Sequence, residues 1–183
     1  MAQQQNGYAI VPHNTYDEFR TYCLTHGVDV DYVYQNQCVD TPKLLWYQYG
    51  LTLQTGNGYA YGIWTIMRNQ NAKPPFIMIT RPEDVKRGDI LVFNKHGSFY
   101  TGHIAFADEN YNGTNNIRTL GQNQGQGIAH GTPSNVVNST FTWFLGAFRN
   151  TNWQSTPPTP TPTETPQKRF PWVLYANKFR KNR

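Results

Sequence analysis

The chain has 183 residues, 38% of them apolar, a formal charge of +5 and two cysteines. That length suits one domain with an appendage, and no run approaches the roughly 18 apolar residues of a membrane-spanning helix. The opening MAQQQNGYAIVPHNT lacks the basic start and apolar core of a secretory signal, and two thiols make no disulfide framework. Without a CxxC or HExxH pattern, structural zinc is not expected.

The charge is unevenly placed. Residues 1–155 hold ten Lys/Arg and ten Asp/Glu, whereas residues 156–183 hold Lys168, Arg169, Lys178, Arg180, Lys181 and Arg183 against Glu164 alone. The body is therefore neutral, and the high isoelectric point does not describe a basic groove across the fold.

In chain order, residues 1–13 read as an N-terminal arm. NTYDEFRTYCLTHG reads as a helix, capped by Asn14 or Thr15, acidic in its first turn and ended by Gly27. Cys23 falls on its apolar face with Phe19 and Tyr22 and is expected in the core. CVDTPKLLWYQYG reads as a second helix, with Pro42 in its first turn and Gly50 at its end. Trp46 and Trp64 are expected as core anchors, with GNGYAYGIW forming an aromatic, Gly-rich wall near a cleft. From Asp89 onward DILVFN, GHIAFAD, IRTLGQN and FTWFLGAFR read as short strands. Two helices followed by antiparallel strands predict an α+β domain over 14–153. STPPTPTPTETPQ predicts an extended linker over 154–167, and KRFPWVLYANKFRKNR, residues 168–183, is a basic-aromatic tail too short for its own core.

Two stretches carry chemistry. Cys38 lies at the start of the second helix, where backbone N–H groups and the helix dipole favour a thiolate and can hold an oxyanion. A lone thiol is more often a small buried hydrophobe, so Cys38 alone establishes nothing. His103, opening a strand after Gly102, supplies a fixed imidazole, and LGQNQGQG offers Gln122 and Asn123 to hold its tautomer. His13, His26, His96 and His130 are expected to be exposed, and His96, in the loop before His103, could line the cleft mouth. The second stretch, DVDYVYQNQCVD, spaces Asp29, Asp31, Val33, Gln35 and Asp40 as positions 1, 3, 5, 7 and 12 of a calcium loop. Val33 offers only its carbonyl there, Tyr34 stands where such loops have Gly, and Asp40 where they have Glu. A solvated acidic turn ahead of a helix reads equally from these residues.

These pieces, in this order, resemble a CHAP domain, the cysteine- and histidine-dependent amidohydrolase/peptidase family found in phage lysins and virion-associated wall hydrolases. TYDEFRTYCLTHG is similar to its first helix, DVDYVYQNQCVD to its nucleophile segment, and RGDILVF with TGHIAF to its paired strands. LGQN is similar to the strand of the third group, and FLGAFR to the closing strand. The resemblance implies a papain-like α+β fold in which the N-terminal helices pack on an antiparallel sheet. It implies Cys38 as nucleophile, His103 as acid and base, and Asn123 as orienting group, with Gln37 and Gln122 on the oxyanion and substrate side. It also implies structural Ca²⁺ held by Asp29, Asp31, Val33, Gln35 and Asp40. One departure is Gly121, where many members carry a glutamate.

The activity implied is cleavage of an amide bond in bacterial peptidoglycan. The short tail suggests a hydrolase of the phage virion or tail, docked to other virion proteins through residues 168–183. Release from the host cytoplasm by a holin is the other route to the wall. Alternatives are a CHAP-shaped structural or wall-binding protein that no longer cuts, and a papain-like peptidase acting on protein. Nucleic acid binding through the tail lacks any recognised fold, and neither it nor a membrane is an expected partner.

Overall fold

Short apolar runs separated by turns build most of the domain. The computed structural model describes residues 13–97, 99–125 and 132–153, with the backbone of two strands, β1 (Gln3–Gln5) and β2 (Tyr8–Ile10), paired antiparallel. The linker, the basic-aromatic tail and His130 lie outside the described residues.

Helix α1 (Tyr16–Thr25) starts where expected: the Thr15 side chain accepts the Glu18 N–H at 3.2 Å, a cap that contributes about 1 kcal/mol. It buries Tyr16, Phe19 and Cys23. Helix α2 (Asp40–Gln48) begins two residues later than the sequence suggested and stops before Gly50, which takes a left-handed φ of 68°. It buries Leu44, Leu45 and Trp46. Two four-residue helices follow, α3 (Gly62–Thr65) and α4 (Arg68–Asn71).

The rest is one antiparallel sheet of β3 (Phe76–Ile79), β4 (Ile90–Phe93), β5 (His103–Ala107), β6 (Asn116–Gly121), β7 (Asn135–Thr140) and β8 (Phe144–Asn150). The spatial order is β3-β8-β4-β5-β6-β7. Strand alternation divides the buried side chains. Ile90, Val92, Ile104, Phe106, Leu120 and Phe148 join the helices in the main core, while Leu91, Phe93, Ala107, Ile117 and Ala147 form a second cluster. Trp46 ties α2 to the sheet edge by stacking on Phe76, ring centroids 3.6 Å apart and planes within 3°. Such a contact adds roughly 1 kcal/mol to its burial. Buried Asp108 ties α1 to the sheet: it accepts from Arg20 at 2.6 and 3.0 Å, from Arg118 at 3.0 Å and from the Tyr16 hydroxyl at 3.1 Å.

The architecture is the expected papain-like α+β arrangement. Two edge strands were not legible in advance. FIMI is short and follows a Pro-Pro pair, and NVVNST is polar because it borders solvent. His13 is buried against Phe19 and Tyr22, contrary to its expected exposure, because the chain entering α1 folds it onto that helix.

Candidate active site

Strand register creates the site. β5 pairs with β6 only at Phe106 and Ala107, so its first residues, His103 to Ala105, stay open on that side. The Cys38 thiol comes to that opening and lies against the backbone N–H of Ile104, the residue after His103. Burial pushes the thiol up to about 11. The Ile104 N–H and the residue's own N–H work against this, and the Asp40 carboxylate adds to it. Burial thus favours the neutral thiol, against the pull of a helix terminus toward thiolate.

Gly102 delivers His103. Its φ of 70° favours glycine, and a Cβ there would stand 2.7 Å from the Phe93 carbonyl and 2.9 Å from the Tyr61 Cβ. The His103 ring is buried, and desolvation holds its pKa below the ordinary value despite an opposing hydrogen bond to Gln124. His103 Nε2 lies 2.9 Å from Gln124 Oε1. Gln124 Nε2 donates to the Thr119 carbonyl at 3.1 Å and the Asn135 carbonyl at 2.9 Å. With both amide protons so directed, the oxygen must face His103, and His103 Nε2 must carry the proton. Nδ1 is then the basic nitrogen.

The partner of His103 is thus Gln124, not Asn123. Asn123 sits at a left-handed φ of 52° and its amide donates to Gln37 Oε1 at 3.2 Å. That left-handed residue interrupts strand alternation, so the sequence alone could not tell which amide of LGQNQ meets the histidine. Gly121 belongs to the same device. A Cβ there would stand 3.0 Å from Gln124 Oε1 and 3.1 Å from the Ala105 Cβ, so its bare backbone leaves the space that the Gln124 amide fills.

Gln122 does not face a substrate. It is fully buried; its Oε1 accepts the Val28 N–H at 2.7 Å, and its Nε2 donates to the carbonyls of Val28 at 2.8 Å and Gln37 at 3.1 Å. It clamps both ends of the segment that carries Cys38. Gln37 has its backbone N–H committed to Asp40 Oδ2 at 2.6 Å, and its side-chain nitrogen donates to the Tyr34 carbonyl at 2.6 Å. Any contribution of Gln37 to an oxyanion site therefore comes from its side chain.

Ahead of Cys38, carboxylate oxygens of Asp29, Asp31 and Asp40 gather within 4.8 Å of one another. Three non-glycine residues between them, Tyr32, Tyr34 and Gln35, take φ values of 57°, 61° and 60°. The loop thereby turns sharply without a glycine at its sixth position. Asp40 is fully buried, and its Oδ1 makes no hydrogen bond. Burial raises its pKa to about 7, the Gln37 N–H and Lys43 oppose that rise, and Asp31 and Asp29 reinforce it. The Lys43 ammonium bonds Asp31 Oδ2 and lies 3.8 Å from Asp40 Oδ1. Val33, whose N–H donates to Asp31 Oδ1 at 3.0 Å, and Gln35 are exposed on the same loop. An all-oxygen cluster with a buried, unbonded carboxylate oxygen suits a hard divalent cation such as Ca²⁺.

The scaffold is papain-like, and at the open end of β5 the Cys38 thiol meets the Ile104 backbone while the His103 imidazole meets the Gln124 amide. The chain belongs to the CHAP domain family, whose model matches residues 27–123. Those residues span the acidic loop, Cys38, His103 and the turn after β6. Among solved structures the chain is similar to the wild-type endolysin LysIME-EF1. The TM-score is 0.61 with 18% identity, over 78% of this chain and 67% of that one. A search of curated proteins finds no match.

Proposed function

We propose that the domain is a thiol-dependent peptidoglycan hydrolase that cleaves an amide bond of the bacterial wall. The observation that carries this reading is the meeting of the Cys38 thiol with the backbone beside His103, whose Nε2 is held by Gln124. Family membership and the endolysin likeness support the substrate class.

With Nε2–H fixed on Gln124, His103 Nδ1 takes the thiol proton as sulfur attacks the scissile carbonyl carbon. The new C–S bond leaves a tetrahedral oxyanion, which the Cys38 N–H and the second proton of the Gln37 amide would stabilise. Collapse breaks the C–N bond, and the imidazolium returns its proton to the departing amine. Water, deprotonated by His103, then adds to the thioester and expels the thiol, giving a carboxylic acid and restoring the enzyme. The neutral resting pair suits this order, because charge develops only as the bond forms. Gln124 stabilises the imidazolium less than a carboxylate would, since an amide dipole replaces a full charge.

Asp29, Asp31 and Asp40, with the carbonyls of Val33 and Gln35, are the residues that would hold Ca²⁺. Together with Lys43 the ion would balance the three carboxylates and stiffen the loop entering Cys38.

The test is release of new amine ends from purified Gram-positive walls by the wild-type chain and by Cys38→Ala. Release by the wild type that the variant abolishes supports the reading; equal release, or none from any wall, sinks it. In the last case, wall binding without cleavage would point to the non-cutting alternative. We further infer action from the phage virion, supported by the Pro/Thr-rich segment and the basic-aromatic end beyond Trp153. Unchanged incorporation into particles after deletion of residues 156–183 would refute that part.

A further inference from the structure

From His103 a series of rings leads outward. The Phe99 ring lies 5.8 Å from that of His103, His96 lies 5.3 Å from Phe99 with planes 26° apart, and Trp143 lies 4.8 Å from His96 with planes 8° apart. The backbone holds the series rigid. His96 and Phe99 exchange hydrogen bonds of 3.1 and 2.8 Å, and the Asn94 N–H donates to the Trp143 carbonyl at 2.7 Å. The His96 Nδ1 lies 3.1 Å from the Asn94 carbonyl, which fixes the ring between its two neighbours. Yet the outer members face solvent: Phe99 is 37% exposed, Trp143 40% and the flanking Tyr100 73%. Ordered apolar rings left open to water mark an interaction surface, and this one is continuous with the candidate active site.

We propose that this shelf seats the glycan of the substrate, with a pyranose ring lying flat on the face of Trp143 turned away from His96 while the attached peptide reaches Cys38. The proposal rests on the hydrolase reading for the identity of the polymer. Its chemistry is independent of that reading. The exposed side chains of the shelf, Trp143, Phe99 and Tyr100, are aromatic and uncharged, so it offers an electron-rich plane to the weakly positive C–H face of a sugar. Rigid rings with few rotatable bonds lose little entropy on binding.

The experiment is calorimetric titration of chitohexaose, a peptide-free β-1,4-linked N-acetylglucosamine oligomer, into the full chain carrying Cys38→Ala. The same titration is repeated with Trp143→Ala and with Trp143→Tyr added. Chitohexaose should bind the parent, weaken about tenfold in Trp143→Ala and recover to within about threefold in Trp143→Tyr. Absence of binding to the parent, or equal binding in Trp143→Ala, overturns the proposal. Trp143→Tyr guards against a folding defect, since an aromatic ring at that position restores the plane. Cleavage of walls by the wild type is read separately. If cleavage fails while chitohexaose still binds, the hydrolase reading falls and the shelf stands.

Discussion

His103 Nε2 and Gln124 Oε1 stand 2.9 Å apart, and both protons of that amide are directed at backbone carbonyls of Thr119 and Asn135. The strand end beyond β6 therefore dictates the histidine tautomer. Gln124→Leu removes the acceptor and leaves the ring's N–H buried without a partner. It should lower kcat/KM on walls by roughly 10- to 100-fold with the fold retained by circular dichroism. Asn123→Ala, which leaves that bond intact, should cost far less. The opposite ranking would return the orienting role to Asn123.

The same contact sets the pH dependence. Desolvation holds His103 below its ordinary 6.5. In the proposed mechanism the neutral imidazole is the base, so the acid limb of kcat/KM should have its midpoint below that value. Gln124→Glu places a carboxylate against the ring and favours imidazolium. Its limb should move upward, with activity lost first at mildly acidic pH. A limb that stays in place would show that residue 124 does not touch the ring in solution.

The acidic loop makes a separate prediction. If Ca²⁺ occupies the cluster, saturating it at about a hundredfold above its Kd should raise the melting temperature by roughly 5–10 °C over chelator, and Asp40→Asn should abolish the difference. Lys43→Met removes the ammonium that bonds Asp31 and should enlarge the calcium shift while lowering the melting point in chelator. Scanning calorimetry with EGTA and with Ca²⁺ reads all three chains. No shift in the wild type would leave Lys43 as the cluster's counter-ion.

Gln122 predicts a stability effect. Gln122→Leu keeps the volume but strands the buried Val28 N–H and carbonyl that its amide satisfies. Urea unfolding should show a loss of about 2–3 kcal/mol. A cost near zero would mean that solvent replaces the clamp.

Local chemistry was legible in the residues themselves. The Thr15 cap, the apolar face of α1 and the apolar runs ILVF and HIAFA bounded by turn residues follow from propensity and period, and they carry the α+β layout. The spacing of Asp29, Asp31 and Asp40 also reads directly, because their convergence depends on one short loop. What needed tertiary structure was every relationship across strands. That Gln124 and not Asn123 meets His103 depends on a left-handed residue and on the bare backbone of Gly121 in the neighbouring strand. That Gln122 is a clamp depends on Val28, ninety-four positions away. The charge state of Cys38 depends on burial, which no pattern of neighbours in the chain displays. Pattern reports which face a residue occupies, whereas desolvation and hydrogen-bond partners are set by whatever the rest of the chain brings to that face.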